Sequence, residues 1–295
     1  MIDRIEIMEV GLRDGLQNIK QNISIDTRIS IVNGLIDAGI KNIQVASFVN
    51  PKIVPQMACA EDLISKLPKK NDIRYSGLVF NQKGVERAIK SGLTKIETSI
   101  SVSESYSKKN LRMSVAKSIT NLSQIIKFSV NNGLSVRAGL QCVWGCIYDG
   151  KTSKEKIINA IESILEMGIN KIALCDTTGM AHPNTISILL ELILKKFPHL
   201  KLSIHLHDTY GLGIINLYAA LKFKINSIDT SLGGIGGSPF IKNSKGNIAT
   251  EDSIHLLNGM NVETGVDIKK VSDISKSLEK KIGSYYFTGK VYRSI

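Results

Sequence analysis

Eight short runs rich in β-branched residues alternate with longer amphipathic stretches along nearly all of the 295 residues. These runs are predicted strands, and they cover residues 5–10, 42–47, 73–79, 95–101, 134–143, 171–176, 202–207 and 227–232. Strands that alternate with helices predict βαβ units and a parallel sheet. Eight repeats favour a closed (β/α)8 TIM barrel over an open sheet, and no G-x-G-x-x-G follows the first strand to indicate a dinucleotide fold.

No linker rich in proline, glycine or serine divides the chain. The sequence therefore predicts a single domain over residues 1–295, with a barrel core from about residue 2 to about residue 260 and a C-terminal helical tail. Catalytic residues of TIM barrels lie at the C-terminal ends of the strands. Polar residues that directly follow a predicted strand are therefore the candidates for function.

The formal net charge of +12 raises the question of nucleic-acid binding. The lysines are spread over helix-like surfaces such as KLPKK and LEKK, without a basic arm or an aromatic RNA-binding motif, so we expect no nucleic-acid partner. No apolar run reaches the roughly 18 residues needed to cross a bilayer, which predicts no membrane association. Four scattered cysteines indicate reduced thiols rather than a disulfide scaffold, as in a cytoplasmic protein.

A carboxylate and a guanidinium follow the first predicted strand in EVGLRDGLQ, which contains Glu9, Arg13 and Asp14. An isolated neighbouring Arg-Asp pair is usually a surface ion pair. The position at the end of a barrel strand favours a functional interpretation instead.

Two histidines, His205 and His207, end the seventh predicted strand in SIHLHD. Because side chains two residues apart on a strand point to the same face, one divalent ion could bind both imidazoles. Two hydrogen-bonded core histidines are the alternative. The motif alone leaves both interpretations open.

The eighth predicted strand is followed by the loop GGIGGSPFIKNSKGN, which ends at Asn247. Four glycines within five residues permit positive φ and a close approach of the backbone to a ligand. The loop is either a flexible turn or a lid over the catalytic face, and Asn247 is a candidate ligand of a metal or a substrate.

Six ordered motifs resemble the 3-hydroxy-3-methylglutaryl-CoA (HMG-CoA) lyase family, within the DRE-TIM metallolyase superfamily that includes isopropylmalate and homocitrate synthases. These motifs are EVGLRDGLQN, ASFVNPKIVPQM, QCVWGCIYDGK, ALCDTTGMAHP, HLHDTYGLG and GGIGGSPF followed by SKGNIATED. The resemblance implies a metal-dependent lyase that cleaves an HMG-CoA-like thioester to acetyl-CoA and an oxoacid.

The resemblance also implies the site residues. A divalent cation, Mg2+ or Mn2+, would be bound by Asp14, His205, His207 and Asn247. Arg13 would stabilise the developing enolate, and Asp176 would lie near the substrate hydroxyl. The implied partners are an acyl-CoA substrate and a second copy of the chain in a homodimer.

Two residues depart from the family pattern. Ser238 replaces a lid cysteine that assists proton transfer in the family, and Gln44 replaces an acidic residue at the end of the second strand. A hydroxyl is far less acidic than a thiol, and an amide cannot accept a proton. We assign Ser238 to catalysis, and Gln44 with Gly236 and Gly237 to substrate binding.

These departures keep other functions open. The enzyme could cleave another branched 3-hydroxyacyl-CoA such as citramalyl-CoA, or it could be a Claisen-condensing acyltransferase on the same barrel. Such synthases usually carry a further domain. A non-enzymatic binding module is the third hypothesis, and it predicts neither metal affinity nor turnover.

Overall fold

The computed structural model describes residues 2–237 and 246–295. Eight parallel strands pair in chain order, and the last pairs with the first to close a barrel. The strands are β1 (Glu6–Glu9), β2 (Asn42–Ser47), β3 (Arg74–Leu78), β4 (Lys95–Ser101), β5 (Ser135–Gln141), β6 (Lys171–Asp176), β7 (Lys201–Leu206) and β8 (Ser227–Thr230). The predicted TIM barrel is confirmed.

Closure joins β1 to β8 in parallel, with Glu6 opposite Ser227 and Glu9 opposite Thr230. The fifth strand ends two residues earlier than predicted, at Gln141. The reason is local, because Cys142 has a φ of 62°, in the left-handed region where an extended strand cannot continue.

Helices cover the outside of the barrel. They are α1 (Ile25–Asp37), α2 (Ala60–Ser65), α3 (Gln82–Lys90), α4 (Glu104–Leu111), α5 (Val115–Asn131), α6 (Lys154–Glu166), α7 (Pro183–Lys196), α8 (Gly213–Ala220), α9 (Thr250–Gly259) and α10 (Ile268–Ile282). Several begin at a serine cap, as where the Ser153 hydroxyl accepts from the backbone N–H of Lys156 at 3.3 Å. None of the helices in the described part of the chain combines the length and apolarity that a bilayer crossing requires.

The apolar core lies between the strands and the helices, and α10 with the C-terminal segment belongs to it. Val271 and Leu278 of α10 are buried, as is Tyr292 near the C-terminus. The inside of the barrel is different, because it holds a largely buried charged network of Glu97, Arg137 and Asp229 instead of apolar layers alone. This network lies directly beneath the candidate site.

Candidate metal centre and active site

Three candidate ligands meet at the C-terminal mouth of the barrel. Asp14 lies in the helical turn after β1, while His205 and His207 lie at the end of β7. One ligand atom of each residue lies within 4.8 Å of the others, and all three residues are buried. The two Nε2 atoms are 3.2 Å apart. This spacing suits imidazoles that share one divalent ion.

Asn247 completes this group from the far side of the glycine loop. Its Nδ2 donates to Asp14 Oδ2 at 2.8 Å and to the Ile235 carbonyl at 3.1 Å. Its Oδ1 is fully buried and accepts from no donor within residues 2–237 and 246–295. A buried amide oxygen without a donor fits a cation ligand. Two imidazoles, one carboxylate and one amide oxygen therefore form a donor set that suits a divalent metal.

A second layer of charges orients His205. Its Nδ1 lies 3.2 Å from Asp229 Oδ2. Asp229 accepts from Arg137 Nη1 at 2.6 Å, and Arg137 also donates through Nε to Glu97 at 3.0 Å. When the Nδ1–H donates to Asp229, the Nε2 lone pair of His205 is free to bind a metal.

The electrostatics of the site keep the candidate ligands in their binding forms. Burial, and then the neighbouring His205, lower the pKa of His207 to about 4. Burial alone would raise the pKa of Asp14, but the Arg13 charge and the two histidines outweigh it and hold that pKa below its ordinary value. At neutral pH His207 is therefore a neutral imidazole and Asp14 a carboxylate.

Arg13 lies between the second strand and the ligand group. Its Nε donates to Gln44 Oε1, and its Nη1 donates to Asp14 Oδ1. Gln44 is fully buried, and its Nε2 has no acceptor in the described part of the chain. The guanidinium is thus held beside the ligand group by one neutral and one charged acceptor.

An open cavity of about 500 Å³ extends from these residues across the mouth of the barrel. Arg13, Asp14 and the two histidines line one side. Lys109 and Arg112, at the end of α4, line the other side. A ligand in this cavity would therefore meet both the candidate ligand group and these two cations, of which Lys109 also lies over the Tyr148 ring at 4.0 Å.

The glycine loop approaches the ligand group closely. Gly236 has a φ of 128°, and a Cβ there would come within 2.3 Å of Asn247 Nδ2 and 3.2 Å of Asp14 Oδ2. Glycine at this position is therefore a steric requirement. Gly237 lines the cavity, and its carbonyl accepts from Asn18 Nδ2. Ser238 lies outside the described residues.

Two further predicted residues have different surroundings. Asp176 ends β6 and accepts from the backbone N–H of Ala181 at 3.1 Å, and burial raises its pKa to about 7. It is absent from the described residues that line the cavity. Glu9 accepts from the backbone N–H groups of Gly11 and Leu232 at 2.8 and 3.0 Å, so it fixes the turns around the site.

Sequence reasoning missed the charged network behind His205. Arg137 and Asp229 lie within predicted strands, whereas the candidates for function were polar residues that directly follow a strand. The available signal was the charge itself, since a charged residue inside a barrel strand must find a buried partner. Which residues pair could not be predicted, because Arg137 and Asp229 are 92 residues apart in the chain.

Comparisons with known proteins cover nearly the whole chain. A family model described as HMGL-like matches residues 4–278. The cytoplasmic 3-hydroxy-3-methylglutaryl-CoA lyase of Rattus norvegicus is 37% identical over 284 residues, which cover 95% of this chain and 83% of that protein. The Bacillus subtilis HMG-CoA lyase structure is 34% identical with a TM-score of 0.95, covering 100% of this chain and 99% of that one. An HMG-CoA lyase from Acinetobacter baumannii, in complex with coenzyme A and 3-methylmalate, is 30% identical with a TM-score of 0.93, covering 99% and 95%.

Proposed function

This chain belongs to the HMGL-like family, and from that premise we propose that it cleaves 3-hydroxy-3-methylglutaryl-CoA to acetyl-CoA and an oxoacid in a reaction that requires a divalent cation. The observation that carries the proposal is the geometry of the candidate ligands. Two imidazole Nε2 atoms lie 3.2 Å apart beside Asp14, and the buried oxygen of Asn247 lacks a donor among the described residues. Core histidines that served packing alone would not need this donor set.

We assign Asp14, His205, His207 and Asn247 to an Mg2+ or Mn2+ ion. When bound, such an ion supplies Lewis acidity toward the substrate hydroxyl. The protein supplies the orientation, because Asp229 holds the His205 ring through Nδ1 and Gln17 donates to Asp14 Oδ1 at 3.2 Å.

Arg13 is assigned to the chemical step. A base accepts the hydroxyl proton, the resulting alkoxide becomes the carbonyl group of the oxoacid as the C2–C3 bond breaks, and the electron pair of that bond moves onto the thioester to form an enolate. The enolate carbon then takes a proton to give acetyl-CoA. The Arg13 guanidinium, held by Gln44 and Asp14, lies where it can stabilise the enolate oxygen. A preorganised donor of this kind contributes about 3 to 4 kcal/mol.

Proton transfer is assigned to Asp176 and Ser238. A carboxyl group with a pKa raised to about 7 can exchange a proton at neutral pH. To reach the substrate, Asp176 would exchange its bond to the Ala181 backbone for one to the hydroxyl. Ser238 would assist from the loop less effectively than a thiol does.

The acyl-CoA thioester would lie in the cavity with its acyl end beside Gly237, which lines it, while Gln44 and Gly236 lie behind the described lining residues. The cations Lys109 and Arg112 on the opposite wall suit the phosphate groups of coenzyme A. We also propose that the enzyme is a cytoplasmic homodimer.

One observation favours a second substrate. Gln44 is neutral and has an unpartnered Nε2 in the described part of the chain, at a position where the family carries an acid. A buried N–H group without an acceptor favours a substrate whose oxygen atoms are placed differently. Citramalyl-CoA carries its carboxylate one carbon nearer to the hydroxyl than HMG-CoA does, so its cleavage is the alternative to that of HMG-CoA, ahead of Claisen condensation.

The test is a panel of 3-hydroxyacyl-CoA thioesters, including both of these substrates, incubated with Mg2+ or Mn2+ and analysed by mass spectrometry for acetyl-CoA. We expect metal-dependent release from at least one of them, abolished by EDTA and restored by the cation. Release that persists in EDTA, or none from any thioester, would refute the proposal.

A further inference from the structure

The N-terminal mouth of the barrel, opposite the candidate active site, also contains a cavity of about 500 Å³. The first residue of every strand lines it. Around the barrel these eight residues are Glu6, Asn42, Arg74, Lys95, Ser135, Lys171, Lys201 and Ser227. We call this set the basal ring. It contains four cations and one carboxylate, so its formal charge is +3.

The cations of the basal ring are poorly neutralised. Lys95, Lys171 and Lys201 form no ion pair with any described carboxylate, and Arg74 has only a 3.4 Å contact with the half-exposed Glu6. Lys171 and Lys201 are direct neighbours in the register of β6 and β7. Like charges placed opposite each other destabilise a sheet, so the ring contains repulsion that an anion would relieve.

The lysines are close enough to affect one another. Burial, and then the charges of Arg74 and Lys171, lower the pKa of Lys95, and the Glu6 carboxylate opposes this only in part. Neighbouring strands are about 4.8 Å apart, which brings such side chains around a single small ligand. The four cations therefore form one electrostatic site rather than four separate surface charges.

Neutral donors also line this cavity. The hydroxyls of Ser203 and Ser227 are 2.7 Å apart, and Asn42 and Asn226 add amides. Glu97 and Arg137 lie further along the strands, and this carboxylate already accepts from the guanidinium at 3.0 Å. Cations together with hydroxyl and amide donors around one cavity are the groups that bind a multiply charged oxyanion.

We propose that the basal ring binds an anion of the phosphate type, with diphosphate as the size that the cavity and its four cations fit best. The ligand would be either inorganic diphosphate or the diphosphate of a nucleotide. This site lies at the opposite end of the barrel from the candidate metal centre and shares none of the candidate metal ligands, although Glu97 and Arg137 line both cavities. Its existence is therefore independent of the lyase activity.

The test is a calorimetric titration of the intact protein with inorganic diphosphate and, separately, with ADP, at low and high salt. The double variant Lys171→Gln with Lys201→Gln should weaken binding by at least about tenfold, since two charge-assisted contacts are lost. The matched control, Lys117→Gln with Lys127→Gln, removes the same charge from the outer face of α5 and should bind as the wild type does. Lyase turnover should be unchanged in both double variants.

The thermal midpoint separates a binding loss from a folding defect. Without anion, the basal double variant should melt at or above the wild-type temperature, because its like-charge pair is gone. Diphosphate should raise the midpoint of the wild type and of the α5 control much more than that of the basal variant. Coenzyme A contains an ADP group, so ADP could also bind in the acyl-CoA cavity. ADP binding that the basal double variant weakens, with no binding of inorganic diphosphate, would support the site and identify a nucleotide source, whereas ADP binding that this variant leaves unchanged would overturn it. Absence of binding by either anion, or equal loss in both double variants, would overturn the proposal.

Discussion

The two mouths of this barrel differ in how their charged side chains are paired. At the C-terminal mouth buried charges form ion pairs, as where Asp14 contacts Arg13 and Asp229 contacts Arg137. At the N-terminal mouth the rim is exposed, and the lysines of the basal ring lack carboxylate partners among the described residues. An unpaired charge that is buried lowers the free energy of unfolding, whereas an exposed charge is solvated by water and can stay unpaired in the absence of a ligand.

The two mouths would therefore bind their ligands by different means. The C-terminal mouth is preorganised, because orienting groups such as Asp229 and Gln44 already hold the candidate catalytic residues. The N-terminal mouth would attract an anion mainly through its positive charge, so we expect its binding to depend strongly on salt. Matched substitutions at the two mouths of the barrel test whether they differ in this way.

The largest effect is expected from His207→Ala. Loss of one imidazole should reduce metal affinity by more than about 100-fold, since even substitutions behind a metal ligand lower affinity 10- to 100-fold. Turnover at limiting metal should fall to background, as measured by acetyl-CoA release. The control is His199→Ala at an exposed position. Unchanged turnover of His207→Ala at limiting metal would remove His207 from the ligand set.

Arg13→Met should retain metal binding and lose the chemical step, with kcat reduced about 10² to 10³-fold. The matched substitution at the other mouth, Arg74→Met, should leave kcat within about twofold, because an exposed ion pair contributes little. Single-turnover kinetics measures the chemical step, and a parallel titration with the cation measures metal binding. A near-native kcat for Arg13→Met would exclude this guanidinium from the mechanism.

Glu251 provides a test of burial without a cation. It accepts from the Gly233 backbone N–H at 2.9 Å, and burial raises its pKa to about 8. Because the folded state keeps this proton to a higher pH than the unfolded state does, stability is highest below the ordinary glutamate pKa and falls as pH rises toward about 8. Because Gln cannot ionise, the free energy of unfolding of Glu251→Gln should fall over this pH range by on the order of a few kcal/mol less than that of the wild type.

Urea denaturation of Glu251→Gln at several pH values between about 5 and about 8 measures that slope. The variant should still show a smaller slope of stability against pH, because burial also raises the pKa of Glu9 to about 7. Glu166→Gln at an exposed position serves as the control and should keep the full wild-type slope. Equal slopes in all three proteins would show that Glu251 ionises alike in the folded and unfolded states.

The smallest effect is expected from Ser238→Cys, which restores the thiol that the family pattern carries. A more acidic group should increase lyase turnover several-fold, given Brønsted dependence of proton transfer. The paired variant Gln44→Glu restores the other departure and removes the unpartnered amide. An increase with Gln44→Glu alone would move the limitation from proton transfer to the group that holds Arg13.

The strands of the barrel were predictable from the sequence almost completely. All eight strands were predicted from local periodicity, which depends on neighbouring residues alone. The pairing of His205 with Asp229 and of Gln44 with Arg13 was not predictable, because it depends on which strands become neighbours on closure. The basal ring was hidden for a similar reason, since its lysines are significant only once every strand start is known to face one cavity.

Asn247 and Asp14 meet across the seam at which the last strand joins the first. A nascent chain emerging from the ribosome contains Asp14 early, but it would lack the fourth candidate ligand, Asn247, until almost the entire barrel has been synthesised. Capture of the ion would therefore mark the moment when the ring becomes complete. A growing chain that stops short of residue 247 should neither retain the ion nor gain the kinetic protection that it gives.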